Sequence, residues 1–574
     1  MMAAGLLAAS SCTDFADYNE TPADAQGSAN QTLWENIQQR QDLSSFRNLL
    51  QKAGFDKELA NTRAYTVWAP ADGTFDAATY EAMSNEDLLN KFVKNHVAEY
   101  NYPATGTLGT RVHTLNAKSY EFAGTGNYTF GGIPLKEANV PGNNGVMHVI
   151  NGSLPFYSNI YEYLKTAPGL DSLRVNITDK EEVVLDEKKS VKGPIVNGIQ
   201  TWIDSVVIIN NPVTRRLNAK IENEDSTYTL IAPTNEAFAK MYNEVKLLYN
   251  YIDNLQVQTK WSSGTASTNE PLKLEKSAAV LSDSMAHREV LENLILNNNS
   301  LYNRWLKGEA GPKDTLMSTT YTYLSNPDSI LDPNHQVGEK VMLSNGQAYI
   351  MDKLAFHPWE TYNPELVVNP LFYVDKNYFA SNISTETLPD SLIVPVFKNV
   401  FKNPNNLNAL SSFEYLKVEI NQPYAKPDVQ IALPNVLSGE YNFYVVFLPA
   451  AMEALGKDTL PNLLNFTLNY CNEKGTLAKY NFTSSSKENP ATQDKTTAFT
   501  NDPSKTDIIH IGKFKFPVAY RRLGDKARPY LRIHTPINPY PPSTDLEFYT
   551  RTLRIAYIIL TPVDYDNFKQ QNNI

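Results

Sequence analysis

A near-continuous apolar run, Tyr65-Thr66-Val67-Trp68-Ala69-Pro70, gives way to the polar turn Ala71-Asp72-Gly73-Thr74 and resumes at Phe75. The pattern returns as Tyr228-Thr229-Leu230-Ile231-Ala232-Pro233, then Thr234-Asn235-Glu236-Ala237 and Phe238. Each copy predicts a buried strand that ends at proline, which has no N–H to give to a ladder. A helix is expected to open near the phenylalanine, with Asp72 or Asn235 capping it. Recurrence across more than a hundred residues predicts two related domains in tandem.

The surroundings of the two copies correspond. Thr32 and Glu35 stand at capping-box spacing before Leu33-Trp34 and Ile37, and Leu43, Phe46, Leu49 and Leu50 continue with helical period. Asn85 to Val97 predicts a further amphipathic helix that brings His96 to its end. Turn signals at Gly124–Asn127 and Gly131-Gly132 then mark a β-rich stretch, closed by Asn144-Gly145-Val146-Met147-His148-Val149-Ile150. The second copy repeats the opening helix as Asn159-Ile160-Tyr161-Glu162-Tyr163-Leu164 and the closing strand as Asn345-Gly346-Gln347-Ala348-Tyr349-Ile350-Met351. It carries insertions at about 176–222 and a polar excursion at about 254–285 around Trp261. Asn297-Asn298 is aligned with Asn95-His96, and Tyr349 with His148, so the second copy lacks both histidines. Beyond residue 361 the helical period fades. Leu416, Val418 and Ile420 alternate with charge, Tyr441–Leu448 follows a Ser-Gly turn, Ile508–Phe516 shifts phase at Gly512, and Arg551–Pro562 is the last strong strand. Strands punctuated by turns predict a β-sandwich.

Composition narrows the function classes. The 574 residues include 33 tyrosines and 34 prolines, and the formal net charge of −11 argues against nucleic acid as a partner. Two cysteines, Cys12 and Cys471, cannot make a disulfide framework or a cysteine-based zinc site. Cys471 reads as a small residue in a strand. No zinc-protease, nucleophile-elbow, phosphate-loop or EF-hand pattern occurs, and neither a catalytic residue, a metal site nor a cofactor is expected. A hydrolase built on an unrecognised carboxylate pair stays open as a lesser alternative.

Three motifs in order, Tyr65–Phe75, the helix ending Asn95-His96, and Gly145–Leu154, resemble those of fasciclin-like domains. The resemblance implies an α+β fold used in adhesion and matrix contact without catalysis. The family's Tyr-His pair is linked to integrin contact in animals, and His96 keeps half of it. The alternative for His96 is a buried ring bonded to a backbone carbonyl. The short apolar leader Met1–Ser11, running through small residues into Cys12, is similar to a bacterial lipobox, and the acidic flank Thr13–Asp17 resembles a Bacteroidetes surface-export signal.

The expected plan is a multidomain chain: a signal-peptide remnant (1–11), a lipidated tether (12–30), two α+β fasciclin-like domains (31–156 and 157–360), and an all-β sandwich of jelly-roll type (361–574). Lipid on Cys12 would anchor it to the outer membrane, facing the cell surface. Arg528 with Tyr530 and Asn538 with Tyr540, in Tyr- and Pro-rich loops, are the candidate glycan contacts. The expected role is a non-enzymatic adhesion or binding module serving a TonB-dependent glycan or peptide uptake complex, its partners an outer-membrane transporter and other surface lipoproteins. The alternative is a stand-alone adhesin for glycan or matrix.

Overall fold

The computed structural model describes residues 29–573, apart from 189, 197, 205–206, 263–264, 299–314, 376–381, 388–413, 421, 450–458, 486–488 and 525–526. Cys12 and the leader lie outside the described residues. The chain divides into two compact units: residues up to Ala167 with Lys220–Leu230 and Lys340–Ala348, and the remainder.

The first organising strand, Tyr65–Pro70, is buried along its whole length. It runs parallel to Gly145–Ile150 and antiparallel to Val97–Glu99. The sheet continues from Gly145–Ile150 through Ile133–Gly142, Asn127–Phe130 and Ser119–Thr125 to Thr107–His113. Strands buried on both faces need cover on both. Leu33, Phe46, Leu49, Leu50 and Phe92 cover one face with Val67 and Val149, while Trp68, Phe122, Phe130 and Ile150 close the other. Trp68 stacks on Phe130 with centroids 3.8 Å apart.

Asn144 is the joint of this fold. Its Oδ1 accepts from Leu33 N–H at 2.8 Å, and its Nδ2 donates to the carbonyls of Leu59 and Asn61. Leu33 opens a helix whose cap is the expected box, with Glu35 N–H bonded to Thr32 Oγ1 and Thr32 N–H to Glu35. Asn345 repeats every one of these bonds: Oδ1 accepts from Ile160 N–H, and Nδ2 donates to Ile221 and Asn223. Asn159 and Glu162 form the matching capping box. The strands Ile295–Asn297, Tyr228–Pro233, Gly346–Met351 and Val341–Leu343 follow the same spatial order as the first four strands of the earlier sheet.

Three local expectations are corrected. Asp72 caps no following helix; its carboxylate accepts from the N–H groups of Ser44 and Ser45, 28 and 27 residues earlier. It therefore satisfies two of the free donors at the start of the helix Ser44–Lys52, and Ser44 and Ser45 hold its carboxyl below the usual range against the opposing effect of burial. Asn235 does the same for Ser172 N–H, and Thr234 caps the helix Asn235–Leu248 instead. The second correction is to Asn85–Val97, which is one helical turn, then a wider π-helical segment Leu88–Val93 and a tight turn Lys94–His96. The third concerns alignment. Ile231 N–H bonds Leu294 O, while Val67 pairs with Val97. Asn293-Leu294, not Asn297-Asn298, is thus the counterpart of Asn95-His96. The strand register decides this, and no spacing in the sequence reveals it.

In the C-terminal third two antiparallel sheets supply one hydrophobic core. One holds Asn382–Thr387, Glu414–Glu419, Leu553–Pro562, Glu440–Phe447 and Asp507–Lys515 in that order, with Leu366–Val368 also on Leu553–Pro562. The other runs Asp428–Ala432, Tyr530–His534, Leu463–Cys471, Leu477–Phe482, with Phe499–Thr500 on its flank. Phe443, Val445, Ile555 and Leu560 from the first meet Phe466, Leu468, Leu531 and Ile533 from the second. Gly512, where the sequence shifts phase, sits at a bulge with φ of 137°, and the register slips there between Phe443 and Tyr444.

Candidate functional site

His96 is fully buried. Its Nδ1 lies 2.8 Å from Phe92 O, and its Nε2 accepts from Leu154 N–H at 2.9 Å. One ring nitrogen must donate and the other accept, so the neutral tautomer is the one that fits, and burial pushes its pKa down to about 4. Asn95 beside it accepts from Tyr120 Oη and Asn116 Nδ2. His148 is similar, between Tyr102 O and Asn139 N–H. These rings join backbone segments and present nothing to a partner.

The four C-terminal residues do not form one cluster. Arg528 and Tyr530 lie at the start of the strand Tyr530–His534, and Asn538 and Tyr540 follow its far end. At about 3.4 Å per residue the two pairs stand well over 10 Å apart. At the first end the Arg528 guanidinium lies 5.0 Å from the Tyr373 ring, and Tyr530 is half-buried. The cavity there, lined by Tyr470, Cys471, Tyr520, Arg528 and Tyr530 among others, has a volume of about 10 Å³. That is room for one water, not a sugar ring. Cys471 ends the strand Leu463–Cys471, its Sγ against Gln256 O, and burial pushes its thiol up to about 11.

The other end is open. Tyr540, 55% exposed, stacks on Tyr424, 50% exposed, with centroids 4.8 Å apart and planes 10° from parallel. Both rings are held from behind. Asn538 Oδ1 accepts from Tyr540 N–H, and Asn538 N–H donates to Asp545, which also pairs with Lys495. These two partners hold the Asp545 carboxyl below its usual range. Arg551 Nη1 lies 2.9 Å from each of the carbonyls of Gln422, Pro423 and Ala425, fixing the turn that carries Tyr424. Two parallel aromatic faces on braced loops offer a stacking platform with polar groups at its edge. Tyr424 lies in Pro423-Tyr424-Ala425-Lys426-Pro427, the same Tyr-Pro composition as the other loops, and that signal was available to find it.

A larger cleft of about 400 Å³ lies elsewhere, lined by Lys240, Met241, Glu244, His335, Asp352 and Lys353. His335 Nδ1 is 2.9 Å from Asp352 Oδ1. Charges of both signs line it without one prevailing.

Comparison with known proteins bears on the N-terminal portion. The fasciclin domain profile matches residues 41–155. This fasciclin domain covers the strand Tyr65–Pro70, His96 and the closing strand Gly145–Ile150. Among solved structures, a FAS1 domain pair from the insect cell adhesion molecule fasciclin I is similar at 13% identity, over 56% of this chain and 98% of that one, with a TM-score of 0.19. A xylan-binding domain of carbohydrate-binding module family 22 matches at 13% identity over 34% of this chain and 86% of its own, TM-score 0.17. A Paenibacillus xanthan lyase matches at 12% identity over 38% and 16%, TM-score 0.18. No curated protein matches.

Proposed function

We infer that this protein is a non-enzymatic binding module of the cell surface, lipid-anchored at Cys12 in the outer membrane. Its fasciclin domain is followed by a second fasciclin-like domain and a glycan-binding β-sandwich. The observation that carries the glycan reading is the stacked, half-exposed pair Tyr424 and Tyr540. Sugars stack on aromatic faces, and a pair braced by Asn538, Asp545 and Arg551 loses little freedom on binding. The repeated asparagine joints at Asn144 and Asn345 support the tandem reading. A glycan array probed with the full chain tests it: Tyr424→Ala and Tyr540→Ala should each abolish the signal, whereas Tyr530→Ala should not. Unchanged binding in both platform variants would end the reading.

A second reading, an accessory component of an outer-membrane nutrient-uptake complex, is favoured by a different surface. The insertion contributes a two-stranded ribbon, Glu182–Leu185 and Val191–Val196 with Ile199–Asp204 and Val207–Asn210. Val183, Val184, Val191, Ile195, Val196 and Ile199 are 46–71% exposed on it. Two-stranded ribbons are marginal in water, and an apolar one asks for cover by another protein. Purification from native outer membranes should recover a stoichiometric transporter or lipoprotein. Ribbon variants Ile195→Ser and Ile199→Ser should lose it, and a clean monomer from the native protein would leave the adhesin.

A further inference from the structure

Three stretches far apart in sequence bring four arginines together. Arg216 ends the short helix Pro212–Arg216, Arg288 lies in the helix Ala278–Leu291, and Arg521 and Arg522 follow Tyr520. They surround two carboxylates. Glu289, 3% exposed, lies 3.7 Å from Arg521 and 3.9 Å from Arg522; Glu292 lies 2.9 Å from Arg288 and 3.7 Å from Arg216. Four guanidinium groups against two carboxylates leave two positive charges unbalanced among the described residues.

Among the described residues the geometry also leaves donors unused. Arg521 donates to Tyr249 Oη and Tyr362 O, and Arg288 to Glu292. Arg216 and Arg522 meet their carboxylates only at 3.7 and 3.9 Å, beyond hydrogen-bond distance. Arg216 is only 23% exposed, so its unused N–H groups are largely cut off from water. Burial, with Arg288 and Arg522 nearby, lowers its pKa from the ordinary arginine value. Arg522 reaches its place at φ of 65°, a left-handed conformation disfavoured for a non-glycine residue. Uncompensated buried charge is costly, and a guanidinium fork fits the oxygens of an oxyanion in two parallel bonds.

We propose that Arg216 and Arg522 form a binding site for a tetrahedral oxyanion, the phosphate or sulfate group of a ligand, with Arg288 and Arg521 adding charge. The two forks would supply the bonds they now lack, and the dianion would balance the cluster. A planar carboxylate would engage one fork only. The site is separate from the Tyr424–Tyr540 platform and does not depend on it.

Isothermal titration of the full chain decides this, with ionic strength held constant by sodium chloride. The probes are inorganic sulfate, inorganic phosphate, a sulfated disaccharide and its unsulfated parent. Saturable binding of sulfate or phosphate is expected, weakened about tenfold or more in Arg216→Gln or Arg522→Gln, the loss of one charge-assisted pair. Tighter binding of the sulfated than the unsulfated sugar would name a glycan ester as the source, and preference for inorganic phosphate would name the free ion. If Arg216→Gln fails to fold, Arg522→Gln at the exposed rim decides alone, its fold checked by circular dichroism. No saturable heat with either inorganic ion, or binding unaltered in Arg522→Gln, overturns the proposal. Tyr540→Ala should leave anion binding intact.

Discussion

Replacing Lys118 with methionine tests how the first unit is held. Lys118 is 2% exposed, and its Nζ lies 2.7 Å from Glu224, 2.7 Å from Glu162 and 3.3 Å from Ser344 Oγ. It stands just before the strand Ser119–Thr125, whereas Glu162 belongs to the second opening helix and Glu224 to the loop ahead of Tyr228. The ammonium thus ties together separate stretches of the first unit. Methionine preserves the stem's packing and removes the charge, leaving Glu224, 7% exposed, with Asn159 Nδ2 at 3.0 Å as its side-chain donor among the described residues. Breaking a buried pair from one side costs about 3–5 kcal/mol. Glu162 is 44% exposed, so its share is screened and adds little. The expected loss is therefore about 3 kcal/mol, a hundredfold or more in the local opening equilibrium. Hydrogen exchange read at the amides of Ser119–Thr125 and of Ile160–Thr166 measures it without assuming that the whole chain unfolds in one step. Removing the stranded charge as well, in Lys118→Met with Glu224→Gln, should recover at least about 1 kcal/mol relative to the sum of the single changes. A single-variant loss below about 1 kcal/mol, or strict additivity in the pair, would refute the bridge as a source of stability.

Other outcomes follow from single sites. A Cβ at Gly145 or Gly346 would lie 1.9 Å from the carbonyl oxygen of Tyr65 or Tyr228, so Gly145→Ala should lower the melting temperature of the first unit sharply, and calorimetry reads the shift. Burial holds His96 and His148 near 4, below the ordinary value of 6.5. Between those pH values the unfolded chain takes up protons that the folded chain refuses, so stability falls as pH falls from 6.5 towards 4 and is independent of these groups above 6.5. Denaturant titrations at a series of pH values should show that slope, reduced in His96→Gln. With its thiol pushed up to about 11, Cys471 should resist thiol reagents at pH 8 in the folded chain and react at once in denaturant. Native reactivity would contradict the burial.

Local pattern alone determined the strands and their repetition. Tyr65–Pro70 and Tyr228–Pro233 are continuous apolar runs stopped by proline, and the capping boxes at Thr32 and Asn159 lie within three residues of their partners. Interactions that short are written in the order of residues. The bulge at Gly512 and the loop tyrosines were legible for the same reason. Tertiary structure alone decided which distant groups meet. Asp72 reaches back to Ser44, Leu294 takes the place of His96 through strand register, and Tyr424 finds Tyr540 across more than a hundred residues. Arg528 with Tyr530 and Asn538 with Tyr540 look like one site in sequence, yet an intervening strand sends them to opposite ends. The arginine cluster draws on positions 216, 288, 521 and 522, and no spacing announces it. Sequence periodicity records which face of an element is buried; which elements then pack against one another is settled by how those faces fill a core.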